Sequence, residues 1–590
     1  MAAALIVLIV LIVLAGLGAF AALRARSHGE AALAEVQYVQ RNLLSASTRA
    51  GRADLESHLE LARADSEAAS SALMSTGVLR VVQWIPYLGG EVRGASTLFQ
   101  DASTASTSGI SILRALDTFQ QHDAGGSISI GSLTTLQGKV ASAAATLATL
   151  ERPVGDLFGP VGHERAVFNR KVSRAVASLT DVTDALTVGR SIFGNGGTST
   201  VLVLPENNAE MRDQGAILSY SLLRVHGTTI SVGASGHSYD LNLPSPVDVR
   251  SSPGTRAYFY PDGAASNWRI VNAPADFSWS ASTAAAMYKE ATGTTVDDIV
   301  ALDVPAMAAL LGVTGPLVVP GVPGELTASN FSTVVLHDLY AAYPAGSQGP
   351  RYSTLDEIAT ALLRRIRSTS HDQVAYLRAL AAQVPGRHLL LWSAQPTVER
   401  AIVHLGASGK VDTVQPGSTF HLANESAVAD KMDYYIWLDE HFDVTLLANG
   451  GAQVATTLTI RNNAPAGQAP SYQLGPAGNG STVPGQYISN SYLWSPSGSL
   501  VSGGVRESGL VLTGYSSSVL PQHATKVYFF TTLPRAVAGG RFVIHLVPQP
   551  MLNPVLASVS VHGPGWTVSG PRASPFTLGS PETLTYEVGR

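Results

Sequence analysis

The hydrophobic period of this chain changes along its length, and one packed core cannot satisfy both periods. Over roughly residues 27–190 apolar residues recur every three or four positions, while beyond residue 412 they alternate. The first spacing puts a stripe on one helix face, and the second lines one face of a strand. Leu55, Leu59, Ala62, Ala69 and Leu73 form one stripe. Leu133, Leu136, Val140, Ala143, Leu147 and Leu150 form a second, and Phe168, Val172, Ala175, Leu179, Val182 and Leu186 a third. Pro and Gly interrupt the pattern at "WIPYLGG" (84–90), "HDAGGSISIG" (122–131) and "ERPVGDLFGP" (151–160). An antiparallel bundle of four or five helices is predicted over 27–190, a stalk whose simplest role is spacing and packing. Near the other end, "DYYIWLDEHFDVTLLANGGAQVATTLTIRNNAP" alternates around Asn449-Gly450, a hairpin signal. "KVYFFTTLP", "RFVIHLVPQP" and "VLASVSVHG" add strands, so 412–590 reads as a β-sandwich region.

The chain opens with "AAALIVLIVLIVLAGLGAFAAL", about 20 apolar residues without a break, enough to cross ~30 Å of hydrocarbon. The run has no clear cleavage site and is longer than a signal-peptide core, so residues 1–23 are expected to be a retained single-pass anchor. The bulk of the chain is expected outside the cell membrane. Arg24 and Arg26 oppose that orientation under the positive-inside rule. A net charge of −5 with no basic run speaks against a nucleic-acid partner. With no Cys, thiolate nucleophiles, disulfides and Cys-based metal centres are excluded.

Between the two regimes, roughly 198–405, strand-like and helix-like segments alternate, which predicts a three-layer α/β domain. Its first strand, "TSTVLVLP", is read as ending in a turn, and a dense polar cluster follows: Glu206, Asn207, Asn208, Glu210, Arg212 and Asp213. The chain is only 14% charged, so the cluster stands out. In open α/β sheets, ligand sites form beyond strand ends. Three structural alternatives stay open. Arg212 could pair with Glu210 or Asp213, Asn207 and Asn208 could serve a turn, and Asp303 could cap the helix after Pro305. No G-x-S-x-G, H-E-x-x-H, Walker loop or strand-linked G-x-G-x-x-G is present.

"LVLPENNAEMRDQGAILSYSLLRVHGTTI" resembles the leading motif of the bacterial domain of unknown function 4012 family. "VDDIVALDVPAMAALLGVTGPLVVPGVPGELTASN" and "NESAVADKMDYYIWLDEHFDVTL" are similar to its second and third motifs. A more distant resemblance links the central domain to the LytR-CpsA-Psr proteins, membrane-anchored enzymes that transfer glycopolymers from polyprenyl-pyrophosphate carriers to the cell wall. That resemblance implies a LytR-CpsA-Psr-like α/β domain and a site in which Arg212 and Asp303 are catalytic. Asn207, Asn208, Glu210, Arg269 and Asn272 would bind the ligand, and Asp303 would hold Mg2+. Arg suits such a site because its fork contacts phosphate oxygens bidentately. The Arg-Asp pair of that family after the second strand is missing here, where the chain reads "ISVGASGHSYDL". Two functions are therefore expected. One is binding or transfer of polyprenyl-pyrophosphate-linked glycopolymers, with the membrane and a cell-wall glycan as partners. The other is a non-catalytic envelope scaffold or adhesion protein. An apolar groove beside Arg212 would favour the first; an Arg212 tied down by carboxylates would favour the second.

Overall fold

The structure, a computed structural model, describes residues 25–42, 48–75, 88–123, 130–155, 157, 159–227, 229–343, 348–368, 373–411, 417–476, 482–571 and 573–590. The expected anchor at 1–23 lies outside them. Among the described residues no helix is long and apolar enough to cross a membrane. The chain is multidomain, with helices in its N-terminal part and sheets in its C-terminal part. It divides into two compact units, one ending at Thr198 and taking in Val225–Ile230, the other holding Ser199–Arg224 and Ser231–Arg590.

The first unit has five long helices among its described residues: α1 (Ala25–Arg41), α2 (Arg49–Ser75), α3 (Leu88–Asp123), α4 (Ile130–Ala148) and α5 (Gly159–Ile192). Cross-links fix their directions. Arg52 meets Asp117, Arg114 meets Glu56 and Glu60, and Ser70 meets Ser96, so α2 and α3 run antiparallel. Gln137 reaches Thr187 while Glu151 reaches Ser173, which makes α4 and α5 antiparallel too. The stripes read from the sequence are the core of this unit. Leu55, Leu59, Ala62, Leu147, Phe168, Val172 and Leu179 are fully buried, and Val182 and Leu186 pack at the margin. Each fully buried Leu or Val contributes about 1.5–3 kcal/mol relative to exposure, so the stripe is a main source of the unit's packing energy. One buried ion pair interrupts it, Asp101 with Arg165 at 2.7 Å.

In the second unit, β1 (Ser199–Met211) lies in a mixed sheet ordered β4-β3-β1-β5-β8, with β2 (Gly215–Ile217) folded back on its end. The other strands are β3 (Ser219–His226), β4 (Thr229–His237), β5 (Asp298–Asp303) and β8 (Leu389–Ser393); β6 (Leu317–Val318) and β7 (Glu325–Leu326) form a separate ribbon. β1 and β5 are parallel, with Leu204 opposite Ala301 and Glu206 opposite Asp303. Leu202, Leu204, Ile299 and Ala301 pack under α6 (Phe277–Thr292). On the opposite face Val203, Pro205, Val300 and Leu302 are half-buried. Asp303 begins α7 (Val304–Thr314) and accepts from the Ala306 amide at 3.0 Å, the capping role open to it in the sequence.

Two expectations change here. The segment "GPLVVPG" forms a strand only over Leu317–Val318. β1 does not end in a turn after Pro205; it runs on to Met211 because β2 pairs with it, Glu206 opposite Ile217 and Met211 opposite Gly215. The turn falls at Arg212–Gln214, closed by the Arg212 amide on the Gln214 carbonyl. Gly215 is required there, since a Cβ would sit 2.7 Å from the Asn207 backbone.

The C-terminal strands build two sheets over one apolar core. β9 is Ser418–Ser426, β10 Ile436–Leu446, β11 Ala452–Asn462, β12 Tyr487–Ser495, β14 Leu510–Val519, β15 Ala524–Leu533, β17 Arg541–Val547 and β18 Leu556–His562. The short or late strands are β13 (Val505–Glu507), β16 (Val537–Ala538), β19 (Thr567–Ser569), β20 (Phe576–Thr577) and β21 (Glu582–Gly589). The five-stranded sheet is ordered β15-β11-β10-β18-β20, and the eight-stranded one β13-β14-β12-β9-β17-β21-β19 with β16 beside β17. β10 and β11 form the hairpin expected at Asn449-Gly450, with Leu446 opposite Ala452. Leu438, Phe442 and Val444 face Phe420, Leu422, Phe542 and Ile544 across the core. Tyr487, Tyr492 and Trp494 on β12 are buried as well.

Candidate functional site

The polar half of β1 and the turn that follows it are buried. Glu206, Asn208, Glu210, Arg212, Asp213 and Gln214 are all under 5% exposed. Isolated buried charges cost several kcal/mol each, so every one needs a partner. Three small networks supply them, and nearly all their partners lie far along the chain.

The first network surrounds Glu210. Its Oε1 accepts from Arg212 Nη2 at 3.2 Å and from Arg269 Nε at 3.0 Å, and its Oε2 accepts from Lys431 Nζ. Burial pushes the Glu210 carboxyl up, but Lys431, Arg212 and Arg269 together hold it below the usual range. Arg212 has little left to offer a ligand. Its Nη1 donates to the Met211 carbonyl at 2.6 Å and to the Ser426 carbonyl at 2.9 Å. Arg269 differs, because its side chain is 34% exposed. Asn207 donates to the Tyr340 hydroxyl at 3.1 Å, and Lys431 lies 5.8 Å from the Tyr340 ring centre.

The second network surrounds Asp213, which accepts from Arg387 Nη2 at 2.5 Å and meets His421 Nε2 at 2.5 Å. Burial raises this carboxyl, but Arg387 and His421 outweigh it and hold it below the usual range. Arg387 adopts φ +62°, a left-handed conformation that is uncommon outside Gly. Its guanidinium also donates to the Ala275 and Gly409 carbonyls, each at 3.0 Å, which hold it in place.

The third network surrounds Asp303. Asn208 Nδ2 donates to its Oδ2 at 2.8 Å, and His388 Nδ1 lies 2.6 Å from the same atom. Burial lowers the His388 value, but the Asp303 carboxylate outweighs it and the imidazole sits above its ordinary range. Neighbouring Glu206 accepts from Asn272 at 3.1 Å, while its Oε2 is buried without a partner. Burial, and then the Asp303 charge, push the Glu206 carboxyl far up.

The residues expected around one ligand thus divide. Glu210, Arg212 and Arg269 meet, Asn208 joins Asp303, Asn272 joins Glu206, and Asn207 turns to Tyr340. The arrangement does not fit a resident Mg2+ at Asp303. Both its oxygens are engaged by protein donors, whereas Mg2+ takes near-octahedral oxygen ligation and keeps several waters. Among the described residues no three His, Asp or Glu side chains converge on one point. Sequence reasoning missed Arg387, His388, His421, Lys431 and Asp433. Asp433 receives the Met211 amide at 2.8 Å and the Tyr487 hydroxyl at 2.6 Å. The segment with Lys431 and Asp433 was visible as a family-like motif, but its contact with Glu210 spans over 200 positions.

Among known families, the model of one described as a protein of unknown function (DUF4012) matches residues 196–340, from just before β1 to the Tyr340 that Asn207 contacts. The match supports assigning this segment to that family. No curated protein and no solved structure matches the chain.

Proposed function

We propose that this chain is a non-catalytic, membrane-anchored envelope protein, and that the polar half of β1 is the brace joining its α/β sheet to its C-terminal sheets. The observation behind this reading is Arg212. It is buried, its carboxylate partner is Glu210, and its remaining bonds go to the chain's own carbonyls. A side chain so engaged holds β1 against β9, where Ser426 supplies one acceptor and Asn424 shares Gln549 with the Arg212 carbonyl. Membrane anchorage rests on the apolar run at 1–23.

A second reading has one observation in its favour. Arg269 is the partly open cation of a group in which Lys431, Arg212 and Arg269 face a single carboxylate, an excess that would suit an anionic head group. That is the polyprenyl-pyrophosphate glycopolymer reading, with a LytR-CpsA-Psr-like sheet as its frame. Mass spectrometry of lipids retained by the detergent-purified full chain separates the two. The brace reading expects no polyprenyl phosphate or pyrophosphate in the wild type. Such a lipid in the wild type, lost in folded Arg269→Ala, would establish the glycopolymer reading instead.

A further inference from the structure

The C-terminal sheets carry a surface that the brace does not use. β15 is an edge strand of the five-stranded sheet, and its outward residues include Tyr528 (53% exposed) and Phe530 (69%). On the neighbouring strand they face Thr457 and Ala455. One position further along this face, Thr532 exchanges backbone hydrogen bonds with Leu500, at 2.8 and 3.0 Å, and Leu500 is 65% exposed. Leu500 sits on the loop 496–504, whose first part lines one cleft and whose second part lines another. One has a volume of about 290 Å³ and is lined by Ser418, Thr419, Ser497, Ser499 and Arg535 among others. The other, about 480 Å³, shares Ser499 and adds Ser502 and Arg506.

The chemistry of the two clefts is one-sided. The chain as a whole has more acids than bases, 43 against 38. Neither cleft has an acid in its lining, and each has one Arg. Among the described residues neither Arg506 nor Arg535 makes an ion pair. Their forks are therefore open to carboxylate or phosphate oxygens. The exposed hydroxyls of Ser497 and Ser502 can exchange hydrogen bonds with sugar hydroxyls. Exposed aromatic rings on a rigid strand offer flat apolar faces with little ordering cost.

We propose that the loop 496–504 and the outward face of β15 form a binding site for an anionic polysaccharide, with Arg506 and Arg535 on its acid groups and Tyr528 and Phe530 stacked on its sugar rings. The proposal stands apart from the β1 brace, since none of these four residues touches it.

Isothermal titration of the full chain in detergent tests it with three probes: hexagalacturonate, neutral maltohexaose, and inorganic polyphosphate of matched charge. Hexagalacturonate is expected to bind saturably and at least about ten-fold more tightly than maltohexaose. Arg506→Ala with Arg535→Ala should weaken hexagalacturonate about ten-fold or more, as should Tyr528→Ala with Phe530→Ala. All four side chains are on the surface, so far-UV circular dichroism should match the wild type. Polyphosphate should respond to the Arg pair alone. The proposal fails if hexagalacturonate does not saturate, if maltohexaose binds as well, or if either double variant binds hexagalacturonate like the wild type. A polyphosphate affinity that falls with the aromatic pair would overturn the stacking role.

Discussion

The helical bundle and the polar half of β1 are both buried, yet they are held by opposite means. In the bundle, Leu59, Val172 and Leu179 are buried by neighbours of their own kind, and the interaction is non-directional. In β1 and its turn, Glu210 and Asp213 are buried only because Lys431, Arg212, Arg269, Arg387 and His421 reach them. The first arrangement tolerates approximation, while the second works only when complete. A bundle position can shrink and relax, but a lost cation leaves a carboxylate in a dry interior.

Glu210→Gln leaves Lys431 fully buried with no carboxylate. Urea denaturation should show a loss of about 3–5 kcal/mol in the second unit, the range for breaking a buried pair from one side. A loss below about 1 kcal/mol would mean that the charges are solvated in solution. Leu179→Ala in the bundle should cost about 2–5 kcal/mol by cavity formation, in the transition of the first unit alone. Asp303→Ala removes the cap on Ala306 and the partner of His388. About 1–3 kcal/mol is expected, with the His388 imidazole resonances by NMR titrating at lower pH than in the wild type. Arg114→Ala breaks two ion pairs on the bundle surface and should cost less than about 1 kcal/mol.

The pH dependence divides the buried carboxyls of the second unit into two groups. Burial pushes Asp430 and Glu440 up to about 8 and Asp433 up to about 7. Their unfolded values are near 4, so between about pH 4 and pH 8 the folded chain keeps protons that the unfolded chain has released. Stability from these groups is present at low pH and falls as pH rises through that window. Glu210 and Asp213, held low in the folded state, act the other way and lose their contribution as pH falls below the ordinary carboxylate range. The second unit should therefore be most stable in mild acid. Burial is the cause of the Glu440 shift, so Glu440→Gln should flatten the decline between pH 5 and pH 8. Parallel wild-type and variant curves over that range would remove Glu440 from the account.

This contrast also explains what the sequence made legible. Stripes at three- and four-residue spacing named the bundle's buried Leu, Val and Phe residues because a helix face is a local property. The Asn449-Gly450 hairpin and the segment Asp298–Thr314 were equally local. The polar half of β1 was legible as unusual but not as buried. Nothing within ten residues of Glu210 announces Lys431, and nothing near Asp213 announces His421 or the left-handed Arg387. A polar run after an apolar strand reads as a surface turn until a distant segment supplies partners for it.

The brace is tested most directly by a double-mutant cycle on Glu210 and Lys431, followed by urea denaturation of the second unit. The account predicts that Glu210→Leu and Lys431→Met each destabilise by about 3–5 kcal/mol. It also predicts that the double variant recovers at least about 2 kcal/mol of the summed loss, because neither charge is then left buried alone. Additive losses, or single variants as stable as the wild type, would show that this pair does not hold β1 in place and would contradict the account.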